Sequence, residues 1–203
     1  MKLVHVLLSV ATISLVVLAT PVRAQMDNAA MGSSTHIISV GLGGGVTVPV
    51  SDAKDALKNG FIGHGFARLN LKALPLAPRI DFTFSKFDLA SAKLANPTAT
   101  GTGTLLAGMA NLQFVLIPRG PVRPYIVAGV GAYNFKTEIE GDPSASTKGD
   151  TQFGVNGGGG VLFKLGSVIS AFVEGRVENV YSKQGFVSAD QIQVVPVTFG
   201  VVF

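Results

Sequence analysis

From residue 37 to residue 203 apolar and polar residues tend to alternate one for one. That period places successive side chains on opposite faces of a β-strand. Eight segments carry it, at 37–50, 61–73, 79–88, 104–116, 125–137, 152–164, 169–181 and 192–203. In the first, Ile38, Val40, Leu42, Val46, Val48 and Val50 share one face, and Ser39, Gly41, Gly43, Gly45 and Thr47 share the other. The second sets Gly63, Gly65, Ala67, Leu69 and Leu71 against His64, Phe66, Arg68, Asn70 and Lys72. The third sets Ile80, Phe82 and Phe84 against Arg79, Asp81, Thr83 and Ser85. The fourth sets Leu106, Ala110, Leu112, Phe114 and Leu116 against Asn111 and Gln113. The sixth opposes Phe153, Val155, Val161 and Phe163 to Gln152, Asn156 and Lys164. The seventh opposes Ile169, Ala171, Val173, Val177 and Tyr181 to Ser170, Glu174, Arg176 and Glu178. The eighth sends Val195, Val197, Phe199, Val201 and Phe203 to one face. Only the fifth leaves its sides open: Ile126, Ala128, Val130 and Ala132 lie on one, Tyr125, Val127, Tyr133 and Phe135 on the other, and both are apolar.

The connectors alternate as well. Those at 74–78, 117–124 and 165–168 are short and marked by Pro or Gly; those at 51–60, 89–103, 138–150 and 182–190 are longer and mostly polar. Short turns at one end and long loops at the other describe a membrane barrel with its turns in the periplasm. Twelve residues at about 3.3 Å each, tilted by about 40°, cover roughly 30 Å of bilayer. The apolar faces then meet lipid and the polar faces line the interior. The sheet must close, because an open edge in lipid leaves backbone groups unpaired.

Two further features fix where such a barrel would reside. Lys2, an uncharged apolar run at 6–18 and Val22-Arg23-Ala24 read as an export signal over residues 1–24, cut after Ala24. The run is shorter than the roughly 20 residues a spanning helix needs. Residues 25–35 form a polar leader, and 36–203 the barrel. The chain has no cysteine, which excludes a disulfide scaffold, cysteine metal sites and a lipid-anchored lipoprotein. Its formal charge is +4, two units of which belong to Lys2 and Arg23 of the signal. With no basic run besides, nucleic acid is not an expected partner.

Several stretches resemble the small outer-membrane β-barrel family, which includes the OmpA-like transmembrane domain and the opacity-type surface proteins. They are Pro124-Tyr125-Ile126-Val127-Ala128-Gly129-Val130-Gly131-Ala132-Tyr133, Phe153-Gly154-Val155-Asn156-Gly157-Gly158-Gly159-Gly160-Val161, Phe172-Val173-Glu174-Gly175-Arg176 and the terminal Phe203. The resemblance spans essentially the whole exported chain. It implies residence in the bacterial outer membrane. It also implies that Phe199, Val201 and Phe203 form the signal read by the barrel-assembly machinery. The chain stops at that signal, so the peptidoglycan-binding domain that often follows an OmpA-like barrel is expected to be absent.

Chemistry concentrates on three inner faces, which carry His64, Arg68, Lys72, Arg79, Asp81, Glu174, Arg176 and Glu178. An eight-stranded interior is just wide enough for side chains to fill it, so these charges are expected to pair as a lumen network. A narrow ion path is the alternative. His64, Ser85 and Glu174 could be assembled into a hydrolytic triad like that of lipid A deacylases, but those enzymes place the His and Ser close together on one strand, and Gly65-Phe66 follows His64 here. Gly157 to Gly160 lack the Lys-Ser or Lys-Thr of a phosphate loop and suit a tightly curved wall. Glu138, Glu140, Asp142 and Asp150 read as a solvated outer loop.

The expected architecture is therefore all-β, an eight-stranded up-and-down antiparallel transmembrane barrel, monomeric and without a cofactor. Its expected role is structural or surface-interacting and is carried by the extracellular loops. Its expected partners are outer-membrane lipid, the assembly machinery and an unidentified extracellular ligand. A channel, a lipid-modifying enzyme and a soluble lipocalin-type barrel are the alternatives. The last would require a polar outer wall.

Overall fold

The structure is a computed structural model and describes residues 37–55, 57–71, 74–89, 101–139, 149, 151–181 and 191–203. The signal and leader, Lys72 and most of the three longest loops lie outside the described residues.

Eight strands follow one another around a closed barrel: β1 Ile38–Val50, β2 Gly60–Leu69, β3 Leu76–Asp88, β4 Gly101–Val115, β5 Val122–Ile139, β6 Thr151–Lys164, β7 Ser170–Tyr181 and β8 Gln191–Val202. Every neighbouring pair is antiparallel, and β1 with β8 closes the ring from Gly41↔Val202 to Val50↔Gln193. The seam runs to the last residue. The Phe203 N–H donates to the Val40 carbonyl at 2.8 Å, and the Val40 N–H donates back at 3.1 Å.

The wall follows the alternation. Phe82, Phe199, Leu42 and Ile80 are 66%, 65%, 58% and 56% exposed, while Arg79, Asp81, Glu174 and Thr47 are buried. Apolar groups on the outside and charges within invert a soluble protein, which rules out the lipocalin-type barrel. β5 resolves with Tyr125, Val127 and Tyr133 inward, and Ile126, Ala128, Val130 and Ala132 outward.

Strand bounds differ from the alternation at the turn end. β3 begins at Leu76 rather than Arg79, and β5 at Val122 rather than Tyr125, so Pro78 and Pro124 lie inside strands. The prolines mark where a ladder ends. The carbonyls of Pro75, Pro124 and Pro121 accept from the N–H groups of Val115, Leu116 and Lys164. A proline can accept such a bond but has no N–H to extend the ladder. Pro196 shows the same effect in mid-wall: the β7–β8 pairing runs to Gly175↔Val197, skips two positions and resumes at Glu178↔Val194.

The turn between β4 and β5 needs Gly120, whose φ of 101° is strained for a side-chain-bearing residue. At the other end the chain leaves β1 through Ser51, at φ 53°, into a 3-10 turn, Ser51–Asp55. The Ser51 hydroxyl donates to Gln193 Oε1 at 3.0 Å. The turn carries Ala53 and Leu57 into the mouth of the barrel, where both are buried.

Candidate functional site

The site is the lumen, and its contents lie in layers. Nearest the turns, Phe66, Tyr125, Leu162, Phe172 and Val202 form an apolar and aromatic layer. At mid-height lies a ring of charge. At the loop end Ala53, Leu57, Phe87, Leu89, Leu105, Ala107, Met109, Tyr133, Val180, Ile192 and Val194 form a second apolar cluster. The alternation gives no sign of this outer plug. Its β4 members, Leu105, Ala107 and Met109, share a face with Asn111 and Gln113 but carry no polarity of their own.

The ring of charge is built by β3 and β7, which face each other across the barrel. Arg79 Nη2 lies 2.8 Å from Asp81 Oδ1, and Asp81 Oδ1 lies 2.6 Å from Arg176 Nη2. Arg176 Nε lies 2.7 Å from Glu174 Oε1, and Glu174 Oε2 lies 2.8 Å from Arg79 Nη1. Two arginines and two carboxylates thus close a four-membered circuit with no net charge. All four are buried, with at most 4% of any side chain exposed. Buried ions must be paired and hydrogen-bonded to be tolerated, and neutral donors complete the set. Asn111 donates to Asp81 Oδ2 at 2.6 Å, and the Tyr125 hydroxyl donates to Glu174 Oε2 at 2.8 Å. Gln113 Oε1 accepts from Arg79 at 3.3 Å. The Arg79 guanidinium also stacks over Phe66, 3.5 Å from the ring centroid.

His64 joins the circuit at its edge, with Nε2 2.8 Å from Asp81 Oδ1 and Nδ1 3.4 Å from the Thr198 hydroxyl. The same Nε2 lies 3.2 Å from Arg79 Nη2, so it faces both an acceptor and a donor. Ser85 is elsewhere. Its hydroxyl lies 3.5 Å from that of Thr47, and both His64 nitrogens face other partners. Ligand atoms of His64, Asp81 and Glu174 come within 4.8 Å of one another. Arg79 and Arg176 already supply the cations that both carboxylates hold.

Two residues expected in the network stand apart from the circuit. Arg68 pairs in register with Arg79 at the turn end. It is buried, its Nε has no partner, and among the described residues it belongs to none of the ion pairs. Glu178 lies on the loop side of Arg176, 2% exposed, with Oε1 unpartnered. A small void of about 10 Å³ lies against His64, Thr83, Glu174, Arg176, Glu178 and Thr198, room for about one water molecule.

The glycines of β6 serve this packing. A Cβ on Gly160 would meet the Tyr125 ring and the Val173 carbonyl; one on Gly158 would meet the backbone at Gly175 and Arg176. Those two face inward, and their lack of a side chain makes room for lumen side chains.

A closed ring of strands with an apolar exterior matches the bilayer, not water. Over residues 12–203 the chain matches the outer membrane protein beta-barrel domain. The chain belongs to that family. It is an outer-membrane barrel, with its turns toward the periplasm and its loops toward the exterior. Solved structures of similar shape include the neisserial surface protein A, at a TM-score of 0.60 and 15% identity over 82% of this chain and 96% of that one. A major outer membrane protein from Thermus thermophilus gives 0.54 and 13% over 83% and 99%. OprG from Pseudomonas aeruginosa gives 0.51 and 11% over 81% and 93%. At these identities the likeness is one of fold. No curated protein matches the chain.

Proposed function

We propose that this barrel is a sealed, non-enzymatic element of the outer membrane, and that its role is structural or surface-interacting and carried by what it presents outside the wall. One observation carries this reading: the lumen is filled along its length, with the Arg79–Asp81–Arg176–Glu174 circuit between two apolar layers. A conducting path needs a continuous string of water or polar groups, and the outer plug interrupts one. Enzymatic chemistry is disfavoured because Ser85 is not aligned with His64 and the buried carboxylates are engaged by arginines. The test is conductance of the refolded protein in a planar bilayer. The expected outcome is no steady unitary current; steady current in the parent protein favours a narrow channel.

The same reading assigns Phe199, Val201 and Phe203 to the signal read by the assembly machinery. All three side chains point outward at the closing seam. Deleting Phe203 removes two backbone bonds to Val40 as well as the ring. Folded protein in the outer membrane at low expression is expected to fall well below that of an outer-loop variant such as Ser144→Ala. Equal yields would remove the terminal signal.

A further inference from the structure

On the turn side of the Phe66–Tyr125–Phe172 layer the charge of the lumen is of one sign. Two arginines enter it there, Arg68 from β2 and Arg123 from β5, each two residues turnward of an inward aromatic, Phe66 or Tyr125. The two strands stand three apart in a ring of eight, so the side chains approach from opposite sides of the mouth. Arg68 is 7% exposed and Arg123 is half-buried, and the Nε of each is buried without a partner. No carboxylate side chain answers them among the described residues. The turns at 70–75, 116–121 and 165–169 contain no Asp or Glu, and each described Asp and Glu lies at the mid-height circuit or toward the loops. The charged side chains acting on Arg68 are Arg123 and Arg79, both cations, and Arg79 is committed to Asp81 and Glu174. A desolvated cation without a counterion is costly, and the chain keeps Arg68 in that position. The neutral groups beside the arginines can donate as well. Arg123 Nη2 lies 3.3 Å from the Ser170 hydroxyl, and Asn70 donates to the Ser39 hydroxyl at 2.9 Å. Each serine accepts there and keeps its own proton to give.

We propose that the turn-end mouth of the lumen binds a phosphate dianion from the periplasm, held between Arg68 and Arg123. A guanidinium presents its N–H groups as a planar fork that matches the oxygens of a phosphate in pairs. Two forks facing across the mouth supply two positive charges, which suits a dianion better than the single charge of a carboxylate. The Ser39 and Ser170 hydroxyls donate to the remaining oxygens. Arg68 lies inside the wall, away from the lipid phosphates that surround the barrel. The bound phosphate is therefore that of a soluble species, free or as a monoester. Above it Phe66 and Phe172 meet edge to face with ring centroids 5.4 Å apart. The mouth is a dead end: the anion enters and leaves on the periplasmic side, and the barrel stays sealed.

The experiment titrates inorganic phosphate, and separately glycerol phosphate, into the folded barrel in neutral detergent micelles, and reads binding as broadening of the phosphorus NMR line. Acetate, and phosphatidylglycerol added to the micelles, serve as competitors. The variants are Arg68→Gln, Arg123→Gln and, as a control, Lys58→Gln, which removes an exposed lysine at the loop end. Each is checked for folding by heat-modifiable migration. Either arginine variant is expected to weaken phosphate binding by about tenfold or more, the worth of a hydrogen bond to a charged group, and Lys58→Gln to leave it unchanged. Urea unfolding separates binding from packing. Phosphate should raise the wild-type midpoint, because it binds the folded state. In Arg68→Gln that rise should be lost, while the phosphate-free midpoint holds or climbs because an unpaired cation is gone. Absence of broadening with the wild type overturns the proposal, as does wild-type binding in both arginine variants. So does equal weakening by Lys58→Gln, or competition by acetate as strong as that between the two phosphates. A fall in the phosphate-free midpoint of Arg68→Gln with the phosphate-induced rise intact assigns Arg68 to packing and overturns the site. Competition by phosphatidylglycerol equal to that by glycerol phosphate assigns the mouth to lipid headgroups and overturns a soluble ligand.

Discussion

At mid-height the two walls of the barrel are joined by Arg79, Asp81, Glu174 and Arg176; at the loop end they are joined by Leu57, Phe87, Met109 and Val194. The two fillings differ in how they hold. An ion pair depends on the identity of its partner, and removing one member strands the other in a medium that cannot solvate it. Apolar contact depends on volume, and a neighbour can relax into part of a gap. The ring therefore specifies which strands face each other, while the plug excludes water.

The sharpest way to break that contrast is Arg176→Met. It leaves Asp81 and Glu174 sharing Arg79 alone, and is expected to cost about 3–5 kcal/mol in urea unfolding of the refolded barrel in detergent. Adding Glu174→Gln should recover part of the loss. Adding Glu178→Gln should recover less, because Glu178 makes no ion pair with Arg176 among the described residues. Equal rescue by both would dissolve the ring as a unit.

Leu57→Ala tests the plug in the same assay. The expected loss is about 2 kcal/mol, the low end for a buried leucine, since the 51–55 turn can settle inward. Steady bilayer current in this variant alone would make the plug the seal and the ring permeable. A smaller effect comes from Gly160→Ala, which crowds Tyr125 away from Glu174 and should cost about 1.5 kcal/mol through overpacking. Smallest of all is Glu178→Gln. Its Oε1 has no partner to lose, and the amide removes a buried charge, so the midpoint should hold or rise slightly. A loss as large as that of Arg176→Met would place Glu178 inside the ring.

The contrast also explains what could be read in advance. Alternation separates a wall with lipid on one side and charge on the other, so β3 and β7 were legible with their Arg, Asp and Glu facing inward. It carries no signal where both faces are apolar. Tyr125 and Tyr133 on β5 look as fit for lipid as for a lumen, and Leu105, Ala107 and Met109 on β4 are placed inward only because they share the face of Asn111 and Gln113. Glycine position held the missing clue for Tyr125: Gly160 is its cross-strand neighbour, and only the inward glycines leave room for a ring. The pairing of Arg79 with Glu174 lay beyond the pattern. Alternation assigns a side chain to a face, and the register of neighbouring strands says nothing about strands on opposite walls.

The ring also bears on the order of events during insertion. Its cross-wall bonds join residues 95 positions apart, such as Arg79 with Glu174 and Arg176 with Asp81, so they cannot form until nearly the whole chain has arrived. Each strand nevertheless brings its own counterion. Arg79 Nε donates to Asp81 at 2.9 Å within β3, and Arg176 Nε donates to Glu174 at 2.7 Å within β7. A hairpin containing either strand thus enters the bilayer with its arginine and carboxylate already neutralised. In the finished ring both local pairs are kept, and the cross-wall bonds Arg79–Glu174 and Arg176–Asp81 are added to them.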